Sequence, residues 1–312
     1  MQVIRDDWRG EALPRGGVGT VGNFDGVHLG QRAVIDQAVT RARELQVPAV
    51  VVTFEPHPLA LLRPGKAPPR LVTPAQKERL LADRGVDSML VVRFDEAFAA
   101  TPAVRFARDF LLDRVDLVEI YVGTRFVFGR EREGDLALLQ RLAAERGRRA
   151  EGVDEVFLDG ERVSSTRIRA AVGDGDVGLA ARLLGRSYEL AGTVEGGAGK
   201  GKGLGWPTIN LAVENELVPK TGVYTTRVSV DGGSLPAVTN VGVRPTLHSD
   251  GELVVETHIL DFDGDLYGRA VGLSFDARLR DERRFDAVED LVAQIGRDVE
   301  AAREFYGRER GG

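Results

Sequence analysis

Glycine alternates with lysine between residues 196 and 211, in the run GGAGKGKGLGWPTINL. Glycine has no Cβ, so the backbone N–H groups of such a segment can approach an anion closely, and Lys200 and Lys202 add positive charge. We therefore predict a phosphate-binding loop with the glycines Gly199, Gly201, Gly203 and Gly205. A flexible glycine-rich hairpin loop is the alternative that the composition leaves open.

Thr208 and Asn210 follow this loop and offer two neutral oxygen ligands two residues apart. If the segment is extended, both side chains leave the same face of the chain, which suits a Mg²⁺ ion that keeps waters and phosphate oxygens. The segment is not a Walker loop, because each Gly-Lys pair is followed by glycine rather than by Ser or Thr. The pattern predicts a magnesium nucleotide site of another kind.

The composition of the 312 residues, 43% hydrophobic and 29% charged, is that of an ordinary soluble protein. This length exceeds the range in which a single core keeps growing, so we expect two domains. A net charge of −6 gives no general attraction to nucleic acid or to an anionic membrane. The absence of cysteine and the dispersed histidines exclude disulfides and zinc clusters. No apolar run suits a signal peptide or a membrane span, so we expect a cytoplasmic protein.

The first half of the chain alternates short apolar runs with helical patterns, which is typical of a doubly wound, Rossmann-like α/β fold with a parallel sheet. A helix is predicted over residues 29–47, and the predicted strands are 18–21, 49–54, 88–92 and 117–122. Ligands of such sheets bind beyond the carboxyl ends of the strands, where Gly22 to Gly30 lie. The overlapping G-x-G-x-x-G pattern at residues 17–22 is rejected as a dinucleotide motif, because no strand precedes it.

The second half changes to a strand-like period and predicts a small antiparallel β-barrel followed by one helix over residues 286–306. The predicted strands are 188–195, 223–230, 235–241, 253–260 and 271–277, with a hairpin turn at residues 231–233. Asp176 is expected to cap a helix over 177–184. We place the domain boundary after this helix, which gives domains 1–184 and 185–312.

At the motif level the chain resembles the bacterial bifunctional riboflavin kinase and FMN adenylyltransferase family, also called FAD synthetases. The kinase landmarks are Gly203–Asn210, Asn240–Thr246, Glu256–His258, Asp265–Gly268 and Leu279-Arg280 with Glu282 and Phe285. The resemblance implies that Glu256 is the base that takes the proton of the riboflavin 5′-hydroxyl. It also implies that Thr208 and Asn210 hold Mg²⁺ and ATP, and that the flavin contacts Asn240, Arg244, Arg280 and Glu282.

The segment Gly22–Gly30 resembles the nucleotidyltransferase signature of the same family, and Ser164–Arg169, Ser-Ser-Thr-Arg-Ile-Arg, resembles its second signature. The resemblance makes His28 a catalytic residue that stabilises the leaving pyrophosphate. A hydroxyl cap before a short helix is a phosphate site on physical grounds as well. The implied ATP-binding residues are Gly22, Asn23, Phe24, Asp25, Gly30, Gln31, Arg125, Ser164, Ser165, Thr166 and Arg169.

Two residues depart from the family pattern. Gln31 replaces the second histidine, and Arg125 stands where the family has Asn or Asp. Arg125 could bind a phosphate or block the nucleotide. We expect the protein to be a transferase of flavin biosynthesis with kinase and nucleotidyltransferase activities. It would convert riboflavin and ATP to FMN, and then FMN and ATP to FAD. The alternatives are a monofunctional kinase with a regulatory amino-terminal domain, or a transferase for another nucleotide or acceptor.

Overall fold

The computed structural model describes residues 1–5, 13, 15–196, 205–246 and 249–310, with the backbone alone for 244–246, 249–252 and 309–310. The chain forms two compact units. Unit 1 comprises residues 1–69 and 74–164, and unit 2 comprises residues 70–73 and 165–312. The units therefore divide earlier in the chain than the predicted boundary.

Unit 1 is built on a six-stranded parallel sheet with the strand order β1-β4-β3-β2-β5-β8. The strands are β1 Gln2–Arg5, β2 Val18–Val21, β3 Ala49–Glu55, β4 Ser88–Arg93, β5 Glu119–Gly123 and β8 Arg149–Val153. Two short antiparallel pairs are β6 Val127–Phe128 with β7 Gly134–Asp135, and β9 Phe157–Leu158 with β10 Glu161–Arg162. The predicted parallel α/β fold is confirmed. The strand order reverses between β2 and β5, so the ligand crevice of such a sheet lies there.

Helices accompany the sheet of unit 1. They are α1 Leu29–Leu45, α2 Pro58–Leu62, α3 Pro74–Asp83, α4 Glu96–Ala99, α5 Ala103–Arg105 and α6 Leu136–Ala144, with a π-helical segment Phe106–Arg114 and a 3₁₀ turn Arg130–Arg132. In α1 the buried side chains Val34, Ile35, Ala38 and Ala42 recur at helical spacing, which is why this stretch forms an amphipathic helix on the sheet. Strand β5 begins two residues after its predicted start. The Leu117 N–H still donates to Leu111 O (3.1 Å), at the end of the π-helical segment.

Unit 2 contains a closed antiparallel barrel with the strand order β11-β12-β15-β14-β13-β16. The strands are β11 Tyr188–Glu195, β12 Ile209–Val213, β13 Gly222–Val230, β14 Gly233–Thr246, β15 Ser249–Ile259 and β16 Ala270–Arg280. The predicted barrel is confirmed. Asp231 and Gly232 both have positive φ, 51° and 77°, as the tight hairpin turn predicted at this point requires.

Three helices complete the described part of unit 2: α7 Ser165–Asp174, α8 Val177–Leu184 and α9 Val288–Arg310. The Asp176 carboxylate accepts from the Leu179 N–H (2.9 Å), so the predicted cap of α8 is present. The last helix begins two residues later than predicted. Its Val299, Ala302 and Tyr306 are buried against the barrel, and the Tyr306 hydroxyl donates to Thr226 O (2.6 Å).

Candidate functional site

A cavity of about 420 Å³ opens on the barrel of unit 2. The predicted residues that line it are Thr208, Asn210, Asn240, Glu256, Arg280 and Glu282. The rest of its wall combines apolar side chains with three further polar ones. These residues are Trp206, Val223, Val238, His258, Arg283, Phe285, Leu291, Ile295, Asp298 and Val299. The structure thus brings together residues that are far apart in sequence and supplies an apolar wall beside them.

The strand register explains how the polar side chains meet. Asn210 pairs with Glu256, Glu256 with Asn240, Asn240 with Val223, and Val223 with Arg280. Directly opposed residues of neighbouring strands point to the same face of a sheet. These five residues therefore form one row across β12, β15, β14, β13 and β16, which we call the Glu256 rung. The carboxylate of Glu256 stands between two carboxamides.

Arg280, at one end of the rung, is held by helix α9. Its Nε and Nη2 donate to the buried Asp298 carboxylate at 3.0 and 2.7 Å. Gln294, one helical turn earlier, donates to Asp298 Oδ1 (2.8 Å) and accepts from Arg283 (2.6 Å). The Arg283 guanidinium lies 4.5 Å from the centroid of the Phe285 ring. One Asp-Gln pair of the helix thus orients two arginines of the cavity wall.

The resemblance did not point to Asp298 or Gln294. The available signal was an acid between Ile295 and Val299, on the apolar stripe of a predicted helix. An acid at a core-facing position is buried only with a partner. Its partner could not be identified before the fold placed Arg280 opposite it.

Glycine at position 242 leaves room for the side chain of Glu282. A Cβ there would lie 2.5 Å from Glu282 Oε1 and 3.0 Å from Asn240 Nδ2. Real Cβ atoms do not approach so closely, so the missing side chain makes room for the Glu282 carboxylate next to Asn240. The structure places these two predicted flavin contacts side by side.

The segment before β12 is fixed by His258. Its Nδ1 donates to Pro207 O (2.8 Å), and its ring stands perpendicular to Trp206 at 5.3 Å between centroids. A carbonyl only accepts, so the Nδ1 position carries the proton. Thr208 follows Pro207 directly in the chain, so this hydrogen bond fixes the position from which Thr208 lines the cavity.

A second cavity of about 270 Å³ lies beside the first in unit 2. Its lining comes from the end of β11, the start of β12, β15 and the turn before β16: Val194, Glu195, Gly196, Pro207, Thr208, Ile209, Thr257, Ile259, Phe262, Gly264, Asp265, Leu266 and Tyr267. Among the described residues Thr208 lines both cavities. Gly196, the last described residue before the glycine-lysine segment, lines this second cavity.

Part of the predicted phosphate loop lies outside the described residues, namely Gly199, Lys200, Gly201, Lys202 and Gly203. Gly205 is described and has a φ of +86°, which favours glycine. For Arg244 the description covers the backbone, which pairs with Glu252 between β14 and β15.

In unit 1 the loop from Gly22 to His28 follows β2 at the crevice between β2 and β5. Phe24 and Val27 have positive φ, 46° and 45°, and both are buried. A positive φ is rare for a β-branched residue and is retained where the surroundings enforce it, as at functional loops. The side-chain amide of Asn23 lies 3.3 Å from His57 Nε2, and Asp25 is buried. The loop is therefore tightly built.

His28 is the N-cap of α1 and forms a reciprocal capping box with Gln31. The Gln31 N–H donates to His28 Nδ1 (3.3 Å), and the His28 N–H donates to Gln31 Oε1 (3.2 Å). An accepting Nδ1 leaves the proton of a neutral ring on Nε2. A Cβ on Gly30 would lie 3.3 Å from His28 Cε1, so the glycine gives the ring its place. Gln31 thus orients His28 through a helix cap.

Arg125, two residues after β5, is on the other side of this crevice. Its side chain is 71% exposed and its Nη1 lies 3.8 Å from Glu155 Oε1. The same Glu155 oxygen accepts a shorter bond from Arg162 (2.8 Å). The Arg125 guanidinium is therefore largely exposed and makes a long ion pair with Glu155.

The second signature begins helix α7. Ser164 precedes the helix directly, Ser165 and Thr166 lie in its first turn, and Ile168 is buried. Three or more His, Cys, Asp or Glu side chains do not cluster as a metal cage anywhere in the described part of the chain. Within that same part, no helix has the length and apolarity needed to cross a membrane.

Comparison with known proteins identifies both halves of the chain. The model of the FAD synthetase family matches residues 11–167, and that of the riboflavin kinase family matches residues 184–306. The chain is 42% identical to the bifunctional riboflavin kinase/FMN adenylyltransferase of Pseudomonas fluorescens, over 97% of each chain. It is 40% identical to the protein of the same name from Escherichia coli K12, over 98% of each chain.

The whole architecture also has a solved counterpart. A Streptococcus pneumoniae structure described as a macrolide-efflux protein matches with a TM-score of 0.89 and 31% identity, over 97% of this chain and 99% of the other. Similarity at this level extends over both units. With two family models and relatives of 40 to 42% identity in agreement, the chain belongs to the family of bifunctional riboflavin kinases/FMN adenylyltransferases.

Proposed function

We propose that unit 2 transfers the γ-phosphoryl group of ATP to the 5′-hydroxyl of riboflavin, and that unit 1 transfers the adenylyl group of a second ATP to the FMN formed. The observation that carries the kinase assignment is the Glu256 rung inside an apolar-walled cavity. This bifunctional assignment is favoured over the monofunctional kinase, because the FAD synthetase model matches residues 11–167 as well.

Glu256 acts as the general base of the kinase. A carboxylate within hydrogen-bond reach of the 5′-hydroxyl removes its proton as the oxygen attacks phosphorus. Asn210 and Asn240 flank Glu256 in the rung and hold it by their fixed strand positions. The apolar wall and the Trp206 and Phe285 rings suit the planar flavin, while Asn240, Arg244, Arg280 and Glu282 bind its polar edge and ribityl chain.

The nucleotide occupies the second cavity, with its phosphates at the glycine-lysine segment and its terminal phosphate at Thr208. This placement is supported by Thr208 lining both cavities, since the transferred group must lie where the two substrates meet. Backbone N–H groups and lysine side chains in residues 199–205 then neutralise the phosphates.

Thr208 and Asn210 fit a Mg²⁺ ion. Both line one cavity, carry hard oxygen donors and leave the remaining positions to water and phosphate. Mg²⁺ would neutralise charge on the transferred phosphoryl group.

In unit 1, FMN already carries a nucleophilic phosphate, so no base is needed. His28 stabilises charge on the leaving pyrophosphate through Nε2–H, and the N-terminus of α1 adds its dipole. We assign Gly22, Asn23, Phe24, Asp25 and Gly30 to the shape of this loop. Gln31 positions His28, and Arg125 binds phosphate. The Ser164–Arg169 cap, which begins α7, is proposed as a further phosphate site.

A product assay tests both reactions. Wild type with riboflavin, Mg²⁺ and ATP should form FMN and then FAD, separated by chromatography. Glu256→Gln should lower FMN formation at least about 10²-fold and spare FAD formation from supplied FMN. Glu214→Gln, an exposed glutamate just after β12, is the matched control. Equal loss of both reactions in Glu256→Gln would refute the assigned role.

The magnesium proposal has its own readout. Thr208→Ala should shift the Mg²⁺ concentration needed for half-maximal kinase activity upward and leave that of FAD formation unchanged. An unchanged Mg²⁺ requirement of the kinase would remove Thr208 as a ligand.

We further propose a cytoplasmic protein that acts on small molecules, with no nucleic acid or membrane partner.

A further inference from the structure

The residues that receive FMN in unit 1 are not identified by the Gly22–Gly30 signature. The His28 loop follows β2 at the crevice between β2 and β5, and Arg125 follows the neighbouring strand β5. The short hairpin of β9 and β10 is linked to both, through Val163 to the start of α1 and through Arg162 and Glu155 to Arg125. The Val163 N–H donates to Val156 O (2.9 Å) at the base of this hairpin. The Val163 carbonyl lies 3.6 Å from the Cβ position of Gly30, so the hairpin base abuts the start of α1.

The hairpin presents an exposed aromatic ring at this place. Phe157 and Arg162 are paired in register, so their side chains share one face. Arg162 reaches back to Glu155 on the same face (2.8 Å), and Glu155 in turn faces Arg125. Phe157 is 60% exposed. An aromatic side chain this exposed buries little area within the fold and is accessible to a planar ligand, which can stack on it.

The two ion pairs of Glu155 differ in length. Arg162 is bound at 2.8 Å, whereas Arg125 lies 3.8 Å away with a 71% exposed side chain. A phosphate dianion binds a guanidinium more strongly than a distant carboxylate does, because it offers paired, fully charged oxygens. Arg125 can therefore be transferred from Glu155 to a phosphate at small cost, while Arg162 keeps Glu155 in place.

We propose that Phe157 and Arg125 form the FMN-recognition surface of the adenylyltransferase. The isoalloxazine ring stacks on Phe157, and Arg125 leaves Glu155 to bind the FMN phosphate beside His28. The inference rests on the proposed function of unit 1. It assigns the unusual arginine a role in binding the acceptor and not in blocking ATP.

The test is steady-state FAD formation from FMN and Mg²⁺·ATP by the full chain. Phe157→Ala should raise the KM for FMN roughly two- to tenfold, the range of an aromatic pair, and leave the KM for ATP unchanged. Phe157→Tyr, which keeps the ring, should restore the wild-type KM. Arg125→Ala should raise the KM for FMN as well. Leu45→Ala is the control, an exposed apolar change at the far end of α1.

A Phe157→Ala enzyme with a wild-type KM for FMN, or with a raised KM for ATP instead, would overturn the proposal. If wild type forms no FAD at all, the adenylyltransferase assignment fails separately. Equilibrium dialysis with radiolabelled FMN then tests the proposed FMN-recognition surface directly. Weaker FMN binding at one of two sites in Phe157→Ala supports this surface, and FMN binding identical to that of wild type refutes it.

Discussion

At the scale of single residues, the neighbours of an ionisable group decide whether it can act as a base. Glu256 stands between two neutral carboxamides that can orient it without neutralising it. A lysine or arginine at either place would pair with the carboxylate and weaken it as a base. Arg280 is also on the rung, but Asp298 holds its guanidinium. We propose that the two carboxamides orient Glu256 for its role as the base of the kinase.

Gln31 gives the first residue-scale prediction. Gln31→Ala removes the acceptor of the His28 N–H bond, so α1 should lose about 0.5–1 kcal/mol of stability. The bond from the residue 31 backbone N–H to the His28 ring remains, but the His28 backbone loses its bond to the Gln31 side chain, and we expect slower FAD formation with an unchanged kinase. Gln31→Glu keeps the acceptor and should retain the cap. Urea unfolding and the two product assays measure these effects. Unchanged FAD formation in Gln31→Ala would show that the cap does not position His28.

Sequence could predict the role of position 31 only in part. Its place in the signature suggested a phosphate contact, but a glutamine three residues after a cap residue also completes a capping box. The two roles differ in side-chain direction, which depends on the rotamer and on the room that Gly30 leaves. Asp298 was missed for another reason: its partner, Arg280, comes from a different element, and no local pattern encodes that contact.

At the scale of elements, helix α9 forms part of the wall of the proposed kinase site. Asp298→Asn should weaken the two bonds to Arg280 and leave this partly buried arginine without a full counter-charge, at a cost of about 1–3 kcal/mol. We expect the KM for riboflavin to rise roughly tenfold. Asp290→Asn, exposed in the first turn of the same helix, is the control. Lower stability with an unchanged KM for riboflavin would show that Asp298 stabilises the fold but does not position Arg280 for the substrate.

Helix α1 and strand β5 are joined by a pH-dependent pair. The hydrogen bond from Arg41 lowers the pKa of Glu119 below its ordinary value of about 4.5, against the opposing effect of burial. A depressed folded pKa stabilises the protein above the ordinary pKa, and this contribution is lost as the pH falls through the folded value. Wild type should therefore exceed Glu119→Gln in stability at pH 7, and the difference should shrink below about pH 4.

Urea unfolding at both pH values measures this difference. Glu44→Gln is the control, because Glu44 also pairs with Arg41 but is 57% exposed and should contribute little. A gap between wild type and Glu119→Gln that stays constant with pH would contradict the prediction.

The strands themselves could largely be predicted from apolar alternation. β2 and β11 have their predicted bounds, and β13 and β16 differ by a few residues at their ends. The edge strands β1 and β8 were not predicted, because Gln2–Arg5 and Arg149–Val153 lack a β-rich apolar run. Their strand form comes from pairing with β4 and β5, and tertiary pairing outweighs local preference at such places.

At the scale of the whole molecule, the two family models leave the sequence between residues 167 and 184 unassigned. The compact units place α7 and α8 with the barrel. Leu183 and Leu184 are buried, and the Gly175 Cβ position lies 2.8 Å from Arg278 Nε of β16. These helices therefore pack on the barrel, although the sequence boundary was expected after them.

Two fragments test this division. Residues 165–312 and 185–312 should both phosphorylate riboflavin, since each contains the complete Glu256 rung. The shorter fragment should melt at a lower temperature, because it loses the buried leucines of α8, each worth about 1.5–3 kcal/mol. Differential scanning calorimetry compares the two. Equal melting temperatures would place α7 and α8 outside the folding unit of the barrel.

The Glu256 rung has a consequence for the order of folding. Its five residues come from the consecutive strands β12 to β16, but β12 pairs with β15 and not with β13, so Asn210 must meet Glu256 across a closed loop of the sequence. Closing such loops is slow, because chain entropy is lost before the contacts form. No hairpin of the barrel can therefore contain the base and both of its amide neighbours. During refolding, phosphorylation of riboflavin should return only when β12 joins β15, so regained catalysis would report the end of barrel assembly.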